Sequence, residues 1–185
     1  MQAMSTSADR STSADRVLSD GSVARLRPLP YDDPLAQRLV EEVQQEYVVR
    51  YGGRDAAPVD PADFLPPGGL FLLAEVDGEP AGCGAWRAYP RGGVEVKRVY
   101  VAPGYRRRGL ARVVMAELEA TAARAGHRSV VLNTGEKQPE AVALYGELGY
   151  VPVAGYGVYA CSADAVFLGK DLPGPAQEEE QSWVS

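Results

Sequence analysis

The chain has 185 residues, 45% of them hydrophobic and 24% charged, with a formal net charge of −6. That length supports one domain with a sizeable core rather than two, and the acidic balance argues against a general nucleic-acid binder, which carries a broad basic face. Two cysteines and a single histidine make no disulfide framework and leave little basis for a metal centre.

The N-terminus has no apolar signal region, and no run is long enough to span a membrane, so a cytoplasmic protein with no membrane partner is expected. A tandem hexapeptide, STSADRSTSADR, is polar and short. Residues 1–21 are read as a disordered tail, 22–172 as the domain, and 173–185 as a second tail. SVARLRPL predicts a first strand. A helix follows, with Asp33 as its cap, Pro34 in its first turn, Leu35, Leu39, Val43 and Tyr47 at near-helical spacing, and Gly52-Gly53 as its stop. After the Pro- and Gly-rich DPADFLPPGG, two apolar runs flank Asp77-Gly78 and predict a hairpin. GGVEVKRVYVAP is a strand, GLARVVMAELEATAARAG a helix, RSVVLNT a strand and PEAVALYGELG a shorter helix; YVPV and DAVFLGKDL close as strands. Hairpins first and helix alternation later predict an α/β domain. Its sheet is mixed, mostly antiparallel, of about six to seven strands, with one parallel βαβ crossover and flanking helices.

Within VEVKRVYV the apolar phase slips. Val94 and Val96 share a face, yet Val99 and Val101 follow at odd spacing. A β-bulge near Lys97-Arg98 produces such a slip and leaves a backbone N–H without a ladder partner. A strand buried on both faces beyond Arg98 is the competing reading.

The strand then turns through Pro103-Gly104 into Arg106, Arg107, Arg108 and Gly109 at the mouth of a helix. Helix N-termini offer unpaired N–H groups and the positive end of a dipole, and a glycine admits a close ligand, so an anion belongs here. The Walker and dinucleotide glycine patterns are both absent. What remains, Arg106-x-x-Gly109-x-Ala111, resembles the pyrophosphate loop of the GNAT N-acetyltransferases. VYVAPGYRRRGLARVVMAELEATA resembles that family's cofactor motif over its whole length, and QPEAVALYGELGYVPV resembles its second motif. The resemblance is specific over residues 94–153.

It implies a GNAT-like single domain using acetyl-CoA as acyl donor, with no metal. The cofactor residues it implies are Val99, Tyr100 and Val101 on the strand, then Arg106, Arg107, Arg108, Gly109, Leu110, Ala111 and Arg112 at the loop and helix mouth. Gln138, standing where the family often has Asn, Ala141 and Tyr145 complete that set. The bulge is implied to aim its N–H at the thioester carbonyl, where an oxyanion donor is typically worth ~3 kcal/mol.

Acetyl transfer needs a neutral amine, and a lysine-like amine of pKa near 10.4 is neutral only to ~10⁻³ to 10⁻⁴ at pH 7. Glu95, at a spacing similar to the family base, is the implied proton acceptor; a plain cross-strand partner of an arginine is its alternative. Tyr145 matches the family tyrosine that meets the departing thiolate; a core residue on a helix face is its alternative. Tyr47, Arg50, Tyr51, Arg87 and Tyr159 are candidate acceptor-pocket residues, and Arg87 and Arg98 are candidates to pair with an acceptor carboxylate. Cys83 is read as a buried strand residue and His127 as a surface one. The expected activity is acetyl-CoA-dependent N-acetylation of a small-molecule primary amine, amino acids included, by direct attack on the thioester, with a homodimer as a candidate assembly. A non-catalytic acyl-CoA-binding module and a protein lysine or N-terminal acetyltransferase are the alternatives.

Overall fold

In the computed structural model, which describes residues 13–174, Asp77 and Gly78 both take positive φ, 53° and 80°. This is the two-residue turn whose twist matches a hairpin, and it joins β3 (Gly69–Val76) to β4 (Glu79–Ala88). Around that hairpin lie β1 (Ala14–Val17), β2 (Val23–Pro28), β5 (Val94–Val101), β6 (Ser129–Gly135), β7 (Val151–Pro152) and β8 (Ala165–Asp171). The eight strands form one sheet in the order β1-β2-β3-β4-β5-β6-β8-β7. Every neighbouring pair is antiparallel except β5 and β6, which are joined through a helix.

Two helices cover opposite faces. α1 (Pro34–Tyr51) is capped by the Asp33 carboxylate, which accepts from the Leu35 N–H at 2.8 Å, and stops at Gly52 with φ 80°. It buries Ala36, Leu39, Val40 and Val43 against Phe64, Phe71 and Leu73. α2 (Leu110–Arg124) buries Leu110, Val114, Met115, Leu118 and Ala122 against Leu72, Val94, Val96 and Leu132. Each buried Leu, Val, Phe or Met among them contributes roughly 1.5–3 kcal/mol by leaving water. α2 lies so close to the sheet that a Cβ on Gly84 would come within 2.8 Å of both Val114 and Leu118. α3 (Pro139–Glu147) adds Tyr145 and Ala141 to the α2-side core.

Two expectations are corrected. Among the described residues the sheet has eight strands, one more than the upper expectation, because residues 14–17 are not tail. Ala14–Val17 pairs with β2, Asp15 and Arg16 form ion pairs with Arg25 and Glu117, and Leu18 is 4% exposed. An edge strand takes its pairing from the backbone and needs only one apolar anchor, which Leu18 supplies. The repeat reading obscured it, although Asp20-Gly21 is itself a hairpin signal. Residues 1–12 and most of the second tail lie outside the described residues. Among the described residues no helix is long and apolar enough to cross a membrane.

The slip in β5 is a bulge. Cys83 pairs with Tyr100 and Ala85 with Lys97, so Gly84 alone opposes Arg98 and Val99. Arg98 takes a left-handed φ of 59°. The extra residue brings Val99 and Val101 back to the α2-side core with Val94 and Val96. The strand is also largely buried on its other face, so the competing reading describes part of it as well.

Candidate active site

β5 and β6 pair only from Val94↔Val130 to Val96↔Leu132, although β5 runs on to Val101 and β6 to Gly135. A bulge bends its strand, and the bulge at Arg98 falls where the two part. Beyond Val96 and Leu132 the two strands no longer pair with each other, which opens a slot between them. A cavity of about 400 Å³ fills its mouth, between Val96–Arg98 on one side and Asn133–Gly135 on the other, with Tyr47, Tyr51 and Gln138 around it. At Gly135 the Tyr51 ring end packs directly against the backbone, in space that a Cβ would share only if Tyr51 moved aside. The Gln138 amide oxygen accepts from Tyr51 and Thr134 hydroxyls, both at 3.3 Å, which fixes it at the rim.

At the far end of the slot the arginine loop enters α2. Arg107 has φ 60° and Gly109, the N-cap, has φ 83°. Among the described residues no side chain caps the helix, and none comes within 4 Å of where a Gly109 Cβ would project. The first-turn amides of Leu110, Ala111 and Arg112, which a helix cannot pair internally, therefore stand open to a ligand. The arginine side chains are less free than the sequence suggests. Arg106 pairs with Glu46 of α1 and gives its Nε–H to the Val101 carbonyl at 2.9 Å; Arg108 pairs with Asp20 at 3.3 Å, and Arg112 with Glu147 of α3. Arg107 is exposed and has no carboxylate partner among the described residues. Of the strand positions, Val99 and Val101 face the α2-side core, and Tyr100 faces the α1 side with its hydroxyl donating to Glu42 at 3.2 Å. Leu110 is core and Ala141 is packed against it.

A second cavity, about 680 Å³, lies beyond Lys97, lined by Arg87, Tyr89, Arg91, Glu95, Tyr156 and others. Lys97, Asn133 and Tyr159 line both cavities. Along their floor runs a row of alternating charge. Asp63 pairs with Arg87 at 3.0 Å, Arg87 with Glu95 at 2.9 Å, Glu95 with Lys97 at 3.5 Å, and Lys97 with Asp55 at 4.0 Å; Asp55 pairs with Arg98. The Glu95 and Lys97 side chains are 8% and 5% exposed. Charges this deep persist when paired, and here each has at least one partner.

Glu95 thus combines both expectations. It is the cross-strand partner of Arg87 and also part of the larger cavity's wall. The idea that Arg87 and Arg98 receive an acceptor carboxylate is not supported, since both guanidiniums are occupied by Asp63, Glu95 and Asp55. Tyr145 lines neither cavity. It is packed in the α2-side core with its ring 5.7 Å from that of Tyr150, and burial pushes its hydroxyl up to about 12. Tyr47, Tyr51 and Tyr159 line the smaller cavity, whereas Arg50 turns to Glu140 and the Lys137 carbonyl. Cys83 is fully buried, and burial pushes its thiol well up, away from nucleophilic use. His127 stacks edge-on against Trp86 at 5.4 Å.

Sequence reasoning missed Asp55, Lys97, Asn133 and Tyr156. A usable signal existed for Lys97: Glu95 and Lys97 sit two apart on one strand face amid valines, a sign of a buried pair. Asp55 stands in an irregular connection with no period to mark it.

Known proteins are similar to this chain. A model of the acetyltransferase (GNAT) family matches residues 36–150. A protein named IAA acetyltransferase, from Azospirillum brasilense, is 30% identical over 152 residues, covering 82% of this chain and 99% of its own length. Among solved structures, the GNAT domain of S. lividans PAT matches with a TM-score of 0.67 at 22% identity, over 86% of this chain and 97% of that one. A GNAT family acetyltransferase from Elizabethkingia anophelis, solved with acetyl-CoA bound, matches with a TM-score of 0.60 at 15% identity, over 80% and 98%. At such identities the two structures speak for the fold.

Proposed function

Because this chain belongs to the acetyltransferase (GNAT) family, we propose that it transfers an acetyl group from acetyl-CoA to a primary amine of a small molecule. The observation that carries this reading is the shared wall. The slot and the larger cavity meet at Lys97, Asn133 and Tyr159, beside the β5 bulge. Donor and acceptor chambers opening on one point are what direct transfer requires, because the reacting atoms must come within about 3–3.5 Å.

Acetyl-CoA supplies an acyl group already activated as a thioester. The uncapped α2 amides and Gly109 would hold its pyrophosphate, with Arg107 as the available side-chain cation. The free strand edges would receive its extended, amide-bearing arm as an added strand. The bulge N–H would donate to the oxygen that becomes negative as the amine attacks. Glu95 would take the amine proton, from a wall position already flanked by Arg87 and Lys97.

Tyr145 packs in the α2-side core and lines neither cavity, so it would meet the thiolate only if the bound cofactor reached into that core, and it would then donate a hydrogen bond rather than a proton. Its hydroxyl, at about 12, is some 3.5 units weaker as an acid than a thiol near 8.5, so full transfer runs about 5 kcal/mol uphill. Arg91, exposed at the rim of the larger cavity and without an ion-pair partner among the described residues, is a cation available to an acceptor carboxylate, which keeps amino acids among the candidates. Thiol release from acetyl-CoA across amino acids, polyamines, aminoglycosides and peptides tests the reading. Acceptor-dependent release with a small amine supports it. Coenzyme A binding without release from any acceptor would instead indicate a binding module.

A further inference from the structure

Arg98 occupies a costly position. It is the one non-glycine residue inside a strand, among those described, with a left-handed backbone. An L-residue there costs roughly 1–2 kcal/mol that glycine would not. Its side chain is only 4% exposed, and its Nε is enclosed without a hydrogen-bond partner. A fold selected for stability alone has a cheaper solution at this position.

Asp55 holds the arginine. Its Oδ2 pairs with the Arg98 guanidinium, while Oδ1 accepts from the Ala57 N–H and the Tyr159 hydroxyl, both at 2.9 Å. The Tyr159 oxygen in turn accepts from the Ala56 N–H at 2.7 Å. One carboxylate thereby ties together the connection after α1, the β5 bulge and the Gly157–Tyr159 turn, the three segments around the junction of the cavities. Burial by itself would raise the Asp55 pKa. The hydrogen bond from Arg98, the Lys97 charge and the Ala57 amide outweigh it and hold the carboxyl below its usual range.

We propose that Asp55 is a positioning residue for acyl transfer, which acts through Arg98 to hold the β5 bulge in the left-handed turn that aims its oxyanion donor. The inference rests on the transferase reading above. It assigns no proton transfer to Asp55 and no contact with either substrate.

The test uses the full chain with Asp55→Asn, Arg98→Gly and the double variant. Asp55→Asn lowers kcat by about 30–100-fold, equally from pH 6 to 9, while the coenzyme A Kd measured by calorimetry stays within threefold. Glycine adopts the turn without an ion pair, so the double variant regains at least tenfold over Asp55→Asn. In the Arg98→Gly background, Asp55→Asn then has less than a threefold further effect, a comparison that stands even if Asp55→Asn alone fails to fold. A loss that shrinks at high pH would make Asp55 a base, and a double variant no better than the single would break the link to Arg98; either overturns the proposal. If the wild type releases no thiol with any acceptor, the transferase reading fails. The melting temperature of the ligand-free protein still judges the link: Asp55→Asn should melt lower and the added Arg98→Gly should restore it. No restoration would overturn it.

Discussion

Replacing Gly109 by valine separates the anion cradle from the helix that carries it. At φ 83° a valine incurs a left-handed penalty of roughly 1–2 kcal/mol. No atom lies within 4 Å of the new Cβ, so the free protein suffers no clash. For a domain of this size that penalty lowers Tm by about 2–8 °C. Coenzyme A binding should suffer more, since the branched side chain rises where phosphate oxygens must approach the amides of residues 110–112. Losing one or two charge-assisted hydrogen bonds, at about 1.5–3 kcal/mol each, weakens binding by about 10²-fold. Gly126 at the other end of α2 is the control, with φ 92° and equally open surroundings. Gly126→Val should show a similar melting shift and an unchanged affinity. Calorimetric titration of coenzyme A beside thermal melts reads both quantities. A Gly109→Val protein that melts lower yet binds coenzyme A within threefold of wild type would refute the cradle.

Three further outcomes are expected. Glu95→Gln lowers kcat at neutral pH with little change in the acetyl-CoA KM, and the loss shrinks as pH approaches the amine's pKa and the neutral form accumulates; a pH-independent loss would confine Glu95 to the ion-pair row. Tyr145→Phe costs tenfold or less on the thioester and more on an oxygen-ester analogue, whose leaving group needs the hydroxyl more; equal losses would leave Tyr145 with the packing role its place in the core already gives it. Leu18→Ala removes the anchor of β1 at a cost of about 2 kcal/mol, the low end for a buried leucine because the site is at the sheet edge, so Tm falls by about 4–8 °C; an unchanged melt would show β1 to be dispensable.

What the sequence disclosed was local. Asp33 capped α1, Asp77-Gly78 turned the hairpin, and the valine slip marked the bulge, because each depends on neighbours within a few residues. The arginine loop was legible for the same reason, since Gly109 and the α2 amides are contiguous. The row from Asp63 to Arg98 was not legible. Its six charges come from the connection after α1, the short turn at Pro61–Phe64, β4 and β5, and only the folded sheet brings them together. Arg87 and Arg98 looked available for substrate because their carboxylate partners, apart from Glu95, lie more than twenty residues away in the chain. β1 was hidden differently, by a repeat whose last three residues, Ala14–Arg16, pair with β2.

The carboxylates seated on Arg106, Arg108 and Arg112 bear on how an anionic cofactor arrives. Three bare arginines would steer a polyanion inward from a Debye length or more. With each pair locally neutral and the chain at −6, the far field repels such a molecule instead. Attraction begins only close in, at the first turn of α2, where the dipole's positive end and Arg107, unpaired among the described residues, meet the ligand. Added salt therefore screens a repulsion, and the encounter rate of coenzyme A rises with ionic strength, opposite to the behaviour of an exposed basic lip.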